Sequence, residues 1–390
     1  LELATEQFPE VVPLVISIKS VLSKIKKMKL KVTILLAFAF IQIKGFSQTP
    51  TFDLKGSEVR KITSSIVKGQ EYDLHIMVPA GYQKSDKKYP VLYLMDSQWD
   101  FPLVTALYGQ QYFDGFVPSI IIVGITWGGT NPNPDSLRAR DYTPTNDRRQ
   151  VQSGGAEKFL SFIKNEAFPF IESNYRVDNN NRTLMGCSLG GLFTLYTLFT
   201  QPDLFQKYVA ASPAFAWDSE VLYQYEKKYS ENKSNPAARL FMCVGGVERG
   251  VPGFEKLSKH LQSRHYPSLQ IKPMVLENIG HSGTKGEGYE RGMQYVFERP
   301  SISVGQEVLK QYAGSYSMPN GKTAEVKVEN NQLVLYNSPT NKFPLLAATD
   351  TDFYSTAEFL NLKFKKEGNN KVSILQLETY NGVQSANKEK

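Results

Sequence analysis

Cysteine and histidine are scarce in this 390-residue chain, with two of the first and four of the second. Cys187 and Cys243 are too few for a disulfide scaffold and lack the spacing of a metal site, so neither metal nor cofactor is implied. Both fall in or beside apolar strand-like runs and read as buried free thiols rather than a bridge. No apolar run reaches the length of a membrane-spanning helix, so no stable membrane anchor is expected. Internal repeats and long low-complexity segments are also missing, which excludes solenoids and arrays. Positive charge is less abundant than the formal +7 suggests, because seven lysines against three glutamates in the first 47 residues leave only +3 for the rest. With no basic stripe interleaved with aromatic residues, nucleic acid is excluded as a partner.

The chain does carry material for a large core, at 41% hydrophobic and 12% aromatic residues. Its length predicts one large domain and a smaller one. Met28 begins MKLKVTILLAFAFIQIKGFSQ: two early lysines, an apolar run over Ile34–Ile41, then small residues Gly45 and Ser47 ahead of Gln48. That order has the form of a secretory signal peptide cleaved before Gln48. Residues 28–47 are therefore expected to direct export to the periplasm or the exterior, and residues 1–27 to be an upstream segment ahead of a start at Met28.

Strands and helices alternate from Glu58 onward. Val59–Val67, Tyr72–Val78, Val91–Met95, Ser119–Thr126, Tyr208–Ala211, Leu240–Val244 and Ile271–Leu276 read as strands. Helical spacing runs from Ala156 to Ser173, and the Gly-, Asn- and Pro-rich stretch from Gly128 to about Gly155 reads as a loop. Such alternation predicts an α/β domain over 48–303 with a mostly parallel sheet, whose sites form at the carboxyl ends of the strands. After Pro300 the pattern changes to short alternating segments, Thr323–Val328, Leu333–Tyr336, Leu360–Phe364 and Val372–Leu377. These predict a small antiparallel β domain over 304–390, either structural or a lid on a binding site.

Within the α/β region Leu184–Leu192 reads LMGCSLGGL, in which Gly186, Ser188 and Gly190 fit GxSxG. Arg182–Met185 precedes it as a strand, and Gly191–Phe199 follows without a breaker, with Leu192, Leu195, Tyr196 and Phe199 at helical spacing. Strand, turn and helix in that order make a nucleophile elbow with Ser188 at its apex.

A serine hydroxyl needs a base, and four histidines are available. His75 lies inside a strand, while His260 and His265 lie on or just after a charged helical stretch. His281 sits in Asn278–Gly283 (NIGHSG), directly after strand Ile271–Leu276 and downstream of the serine, and is the candidate base. For the acid that orients it, Glu248 lies just beyond strand Leu240–Val244, with Asp218 and Glu277 as rivals and a Ser–His dyad as a further alternative. An oxyanion hole would use the N–H of Leu189, next after the nucleophile, and one from the loop after Val91–Met95, with Gln98 first and Ser97 second.

With these residues in place the chain resembles the putative-esterase family of α/β-hydrolases, which includes esterase D, feruloyl and acetyl-xylan esterases, siderophore-ester hydrolases and mycolyltransferases. The matching pieces are VLYLMDSQ at 91–98, IIIVGI at 120–125, RARDYTP at 138–144, the helix within 154–178, RTLMGCSLGG at 182–191, SPAFAWD at 212–218 and NIGHSG at 278–283. The resemblance is nearest to the siderophore-esterase branch. It implies an α/β-hydrolase fold and a secreted serine ester hydrolase that works through an acyl-enzyme without metal or cofactor. A small-molecule or glycan ester is the implied substrate: a siderophore, feruloyl or acetyl-sugar ester. It also makes Arg138 and Arg140 substrate contacts, with ion pairs to Asp135, Asp141 or Asp147 as their alternative. Departures from the family pattern are Met95-Asp96-Ser97 where relatives often have LDG, Cys187 before the serine where many have His, and Glu248 where many have Asp. Acyl transfer to a sugar or lipid acceptor, and a silent glycan- or siderophore-binding protein, are the other functions compatible with this pattern. Oligomeric state is left open.

Overall fold

The computed structural model describes residues 23–28, 54–148, 150, 152–232, 234–367 and 371–389. The expected export segment, apart from Met28, lies outside these residues.

The α/β region follows the chain as β1 (Ser57–Thr63), β2 (Glu71–Met77), β3 (Tyr89–Leu94), α1 (Ser97–Phe113), β4 (Ile121–Trp127), α2 (Pro134–Tyr142), α3 (Ala156–Phe162) and α4 (Phe168–Asn174). It continues with β5 (Val177–Cys187), α5 (Leu189–Thr200), β6 (Lys207–Ala211), α6 (Trp217–Glu220), α7 (Leu222–Glu231), β7 (Ala238–Gly245), α8 (Val251–Ser263), β8 (Leu269–Leu276) and α9 (Thr284–Val296). The eight strands form one sheet in the order β1-β2-β4-β3-β5-β6-β7-β8. β1 and β2 are antiparallel to their neighbours, and from β4 through β8 the pairing is parallel. β4 is buried along its whole length because helices cover both faces, whereas β2 alternates, burying Tyr72, Leu74 and Ile76.

Three stretches of the α/β region differ from the pattern-based expectation. The strand predicted over Val59–Val67 is Ser57–Thr63, and residues 65–69 form the turn that leads into β2. The loop predicted over 128–155 contains α2, which begins where Asn133 Oδ1 accepts from the Ser136 N–H at 3.2 Å and Pro134 occupies the first turn. The helix predicted over 156–173 is interrupted by a π-helical turn at Ile163–Ala167. Pro169 in the next turn has no N–H to donate back to Asn165, which accounts for the shifted hydrogen bonding.

The C-terminal region is a closed antiparallel barrel preceded by a short helix, α10 (Gln306–Tyr312). Its strands are β9 (Gly314–Ser317), β10 (Thr323–Glu329), β11 (Gln332–Tyr336), β12 (Lys342–Ala347), β13 (Asp352–Ser355), β14 (Leu360–Glu367), β15 (Lys371–Thr379) and β16 (Gly382–Lys388). Closure is made by β16 against β9, with Asn387 opposite Ser317. Full closure leaves no edge strand, and Tyr312, Tyr316, Phe353 and Phe364 fill the interior.

The barrel joins the α/β region beside the amino ends of β3 and β4. Lys87, just before β3, pairs with Glu378 at 2.7 Å, and Phe113, at the end of α1, accepts from the Phe359 N–H at 2.8 Å. Parallel strands carry their catalytic loops at the other end, so the barrel docks on the side away from Ser188 and is not the lid that its sequence left open.

Candidate active site

Four loops converge at the carboxyl ends of β3, β5, β7 and β8. Ser188 directly follows β5 and caps α5 with φ 60° and ψ −118°, a conformation that L residues avoid. The turn closes tightly: a Cβ on Gly186 would stand 2.6 Å from the Gly190 carbonyl, so only glycine fits at 186. Backbone bonds then hold the apex, with Ser188 N–H donating to Ala211 O at 2.9 Å and Ala214 N–H donating to Ser188 O at 3.0 Å.

Glu248 and His281 are brought together from separate strands, with Glu248 Oε2 2.7 Å from His281 Nδ1. The two loops are joined by backbone as well, through Val247 N–H to Ile279 O at 3.2 Å. Glycine is needed here too, since a Cβ on Gly245 would meet Ile279 O at 2.3 Å. The other carboxylate oxygen of Glu248 accepts from Ser212 Oγ at 2.5 Å and from the Gly245 N–H at 2.7 Å. Burial alone would raise the Glu248 pKa, but donation from Ser212, His281 and Gly245 outweighs it and holds the carboxyl below its ordinary value. Glu248 is thus an ionised, three-donor acceptor rather than a solvated loop carboxylate. Asp218 and Glu277, the rival acids, are both exposed and bond to no histidine among the described residues.

Ser212 was missed in the sequence, although its position as the first residue after β6, beside the nucleophile strand, is the kind of place where a side chain reaches a site. Its own φ is 38°, and its hydroxyl also lies 3.1 Å from Thr284 Oγ1, which donates to His281 O at 2.6 Å. The serine and threonine therefore tie the acid to the loop that carries the base.

His281 is half exposed, with Nδ1 toward Glu248 and Nε2 left for a proton acceptor role. Ser188 and His281 are on the same end of the sheet but are not hydrogen-bonded to each other in this structure. Such contacts often tighten only with substrate present. The remaining histidines are engaged elsewhere: His75 Nδ1 lies 2.9 Å from Ser97 Oγ, and His260 Nε2 lies 2.8 Å from Glu226. His265 sits in a turn at φ 48°.

Two helix N-termini point their first N–H groups at this end of the sheet. Leu189 is the first residue of α5, and Gln98 is the second of α1, after Asp96 in left-handed conformation at φ 53°. N–H groups of a first turn have no acceptor four residues back, so both are available to an anion. The Gln98 side chain is fixed separately, accepting from Thr126 Oγ1 at 2.7 Å, and Ser97 is occupied by His75.

The two arginines part company. Arg138 is nearly buried and binds Asp96 through Nε at 3.0 Å and Nη2 at 2.8 Å, an acid outside the three expected for it. Its Nη1 makes no hydrogen bond among the described residues, and the guanidinium lies 5.8 Å from the half-exposed Trp99 ring. Arg140 has all three nitrogens engaged, by Asp141, Gln70 and Tyr72, and four of its five N–H groups are used within the protein. The pairing with Asp141 is the alternative that the sequence allowed for it.

The thiols are inert by position. Cys187, Ala211 and Cys243 stand side by side on β5, β6 and β7, so the cysteines are two strand spacings, about 10 Å, apart and beyond disulfide reach. Burial pushes both thiols up to about 12.

Comparison with known proteins bears on the family and the fold. The Putative esterase family model matches residues 64–265, and a domain of unknown function (DUF3471) matches residues 298–389. Over 221 residues the chain is 32% identical to the ferri-bacillibactin esterase BesA of Bacillus subtilis, covering 51% of this chain and 73% of that protein. It is 28% identical over 217 residues to a siderophore triacetylfusarinine C esterase of Aspergillus fumigatus, covering 53% and 74%. Among solved structures, the BES protein from Bacillus cereus superposes with a TM-score of 0.58 at 28% identity, over 64% of this chain and 97% of that one. An IroE-like serine hydrolase from Shewanella oneidensis superposes with a TM-score of 0.55 at 27% identity, over 66% and 85%.

Proposed function

Because the chain belongs to the Putative esterase family, for which ester hydrolysis is the supported activity, we propose that it is a serine carboxylic-ester hydrolase with Ser188, His281 and Glu248 as its triad. The observation that carries this reading is the 2.7 Å pair of Glu248 and His281 at the same end of the sheet as a serine held at φ 60°. Ser188 Oγ attacks the ester carbonyl while His281 Nε2 takes its proton. Glu248 keeps Nδ1 protonated and offsets the imidazolium charge. The Leu189 and Gln98 N–H groups receive the developing oxyanion. Collapse breaks the acyl–oxygen bond, His281 returns the proton to the departing alcohol, and water attacks the acyl-enzyme by the reverse steps.

A siderophore ester is the substrate this reading favours, because the relatives named above include two siderophore esterases. Trp99 offers a flat apolar surface between Arg138, paired with Asp96, and Lys285, which is paired with Asp100 at 2.7 Å and lies 5.9 Å from the ring, so an aromatic acyl group suits the mouth of the site. Arg138 Nη1 is the proposed contact, and Arg140 is assigned to the scaffold. We infer a division of the chain near 303–304, and export directed by residues 28–47. N-terminal sequencing of the secreted protein checks the latter, with Gln48 expected first.

Hydrolysis of p-nitrophenyl acetate and labelling by a fluorophosphonate, measured beside Ser188→Ala, test the mechanism. Both signals are expected in the wild type and absent in the variant. Folded wild-type protein that gives neither would overturn the reading.

A further inference from the structure

A cavity of about 710 Å³ lies between the barrel and the α/β region, beside the amino ends of β3 and β4 and thus at the other end of the sheet from Ser188. Its volume is in the range of small-molecule sites. Tyr112 and Phe359, with rings 4.5 Å apart, line it together with Arg299, and Lys84 and Lys88 stand exposed at its rim.

The charges there do not balance. Lys87 and Glu378 neutralise each other at 2.7 Å. Arg299 has no ion-pair partner among the described residues: its guanidinium donates to Asn361 Oδ1 and to the Gly115 carbonyl and lies 3.7 Å from the Tyr354 ring. All three partners are neutral. Burial works against its charge and brings its pKa down to about 10, so it remains a cation at neutral pH; the acid that acts on it, Glu378, lies beyond ion-pair distance and is already paired with Lys87. A half-buried guanidinium is an expensive group to hold on a domain junction without a counter-ion, and its planar fork matches a carboxylate.

We propose that this cavity is a binding site for a small aromatic carboxylate, with the carboxylate on Arg299 and the ring against the Tyr112–Phe359 pair. Lys84 and Lys88 strengthen attraction at the rim. The site is separate from the candidate active site and does not depend on the triad assignment. Since the cavity is walled by both regions, its occupant bridges them and would stabilise their docking.

Calorimetric titration of the full chain with 2-naphthoate tests this, with the neutral isostere 2-naphthamide as the comparison. One carboxylate is expected per chain, bound at least about tenfold more tightly than the amide and more weakly as salt is raised. Arg299→Gln is expected to lose about tenfold in affinity for the carboxylate and nothing for the amide. The double variant Lys84→Glu/Lys88→Glu changes only exposed side chains and is expected to lose about threefold or more with the fold intact, so it decides the matter if Arg299→Gln does not fold. Equal binding of acid and amide, no binding up to about 5 mM, or unchanged affinity in the variants that fold would each overturn the proposal. The last result would mean that 2-naphthoate binds elsewhere, including at the Ser188 end.

Discussion

Backbone strain is distributed differently in the two halves of this molecule. Among the described residues of the barrel the non-glycine ones at positive φ are Asn330 and Asn331, at 48° and 61°, in the two-residue turn between β10 and β11. That turn needs two left-handed residues to match the twist of its strands, and asparagine tolerates the conformation. Connectivity explains it fully. In the α/β region Asn131, His265 and Asn278 are at positive φ in loops and turns, but Asp96, Ser188 and Ser212 sit at positive φ at the carboxyl ends of β3, β5 and β6 and surround one site. No turn chemistry favours serine at φ 60° with ψ −118°. The contrast teaches that strain in the barrel serves chain reversal, while in the α/β region a second set of strained residues aims side chains and frees helix N–H groups for an anion.

The largest test of that contrast is Ser188→Ala, which should lower ester hydrolysis at least about 10⁴-fold while leaving thermal unfolding nearly unchanged. Activity that survives would separate the strained serine from the chemistry. Next comes Glu248→Gln, expected to lower kcat by about 10³-fold because the imidazole loses its orienting charge. Asp218→Asn and Glu277→Gln, steady-state kinetics being the readout, should stay within about twofold, as neither acid touches a histidine.

Ser212→Ala should cost about tenfold in kcat with little change in KM, since it removes one of three donors to Glu248 without touching substrate. The same variant has a pH signature. The Glu248 carboxyl is held below its ordinary value near 4.5 in the folded chain, so its stabilisation is complete above that value and is lost as pH falls through the folded pKa. Removing the Ser212 donor moves the folded pKa back up, and acid unfolding followed by circular dichroism should begin at higher pH than in the wild type.

Stability measurements sharpen the comparison at its small end. Ser188→Gly relieves a conformation that glycine adopts freely and should raise stability by about 1 kcal/mol while abolishing hydrolysis. Asn331→Gly creates the Asn-Gly turn preferred in such hairpins and should add about 0.5 kcal/mol without affecting activity. Urea denaturation would distinguish the two. Equal gains with equal retention of activity would erase the difference between the regions.

Much of the fold was legible because apolar periodicity survives in the one-dimensional pattern. The continuous runs of β3 and β4 announced a doubly covered sheet, and the glycines around Ser188 announced the elbow. The helix over Pro134–Tyr142 was hidden because it is polar and its start depends on one asparagine cap. Half of the barrel strands, β9, β12, β13 and β16, escaped: β9 and β13 are only four residues long, β12 contains Pro344, and β16 is mostly polar and exposed. Glu248 and its partner His281 could be nominated from their places after β7 and β8, yet Ser212 could not be, because it reaches the acid from the end of a different strand, β6.

Local chemistry by itself determined the strand–turn–helix around Ser188 and the change to an antiparallel region after Pro300. These depend on residues close together in the chain, whose spacing dictates conformation. Only the tertiary structure decided that Arg138 meets Asp96 while Arg140 is held by Gln70 and Tyr72, that Ser212 holds the acid, and that the barrel docks at the end of the sheet away from Ser188. Each of those outcomes pairs groups far apart in sequence, and hydrogen bonds and ion pairs between such groups are set by which strand ends the sheet order brings side by side.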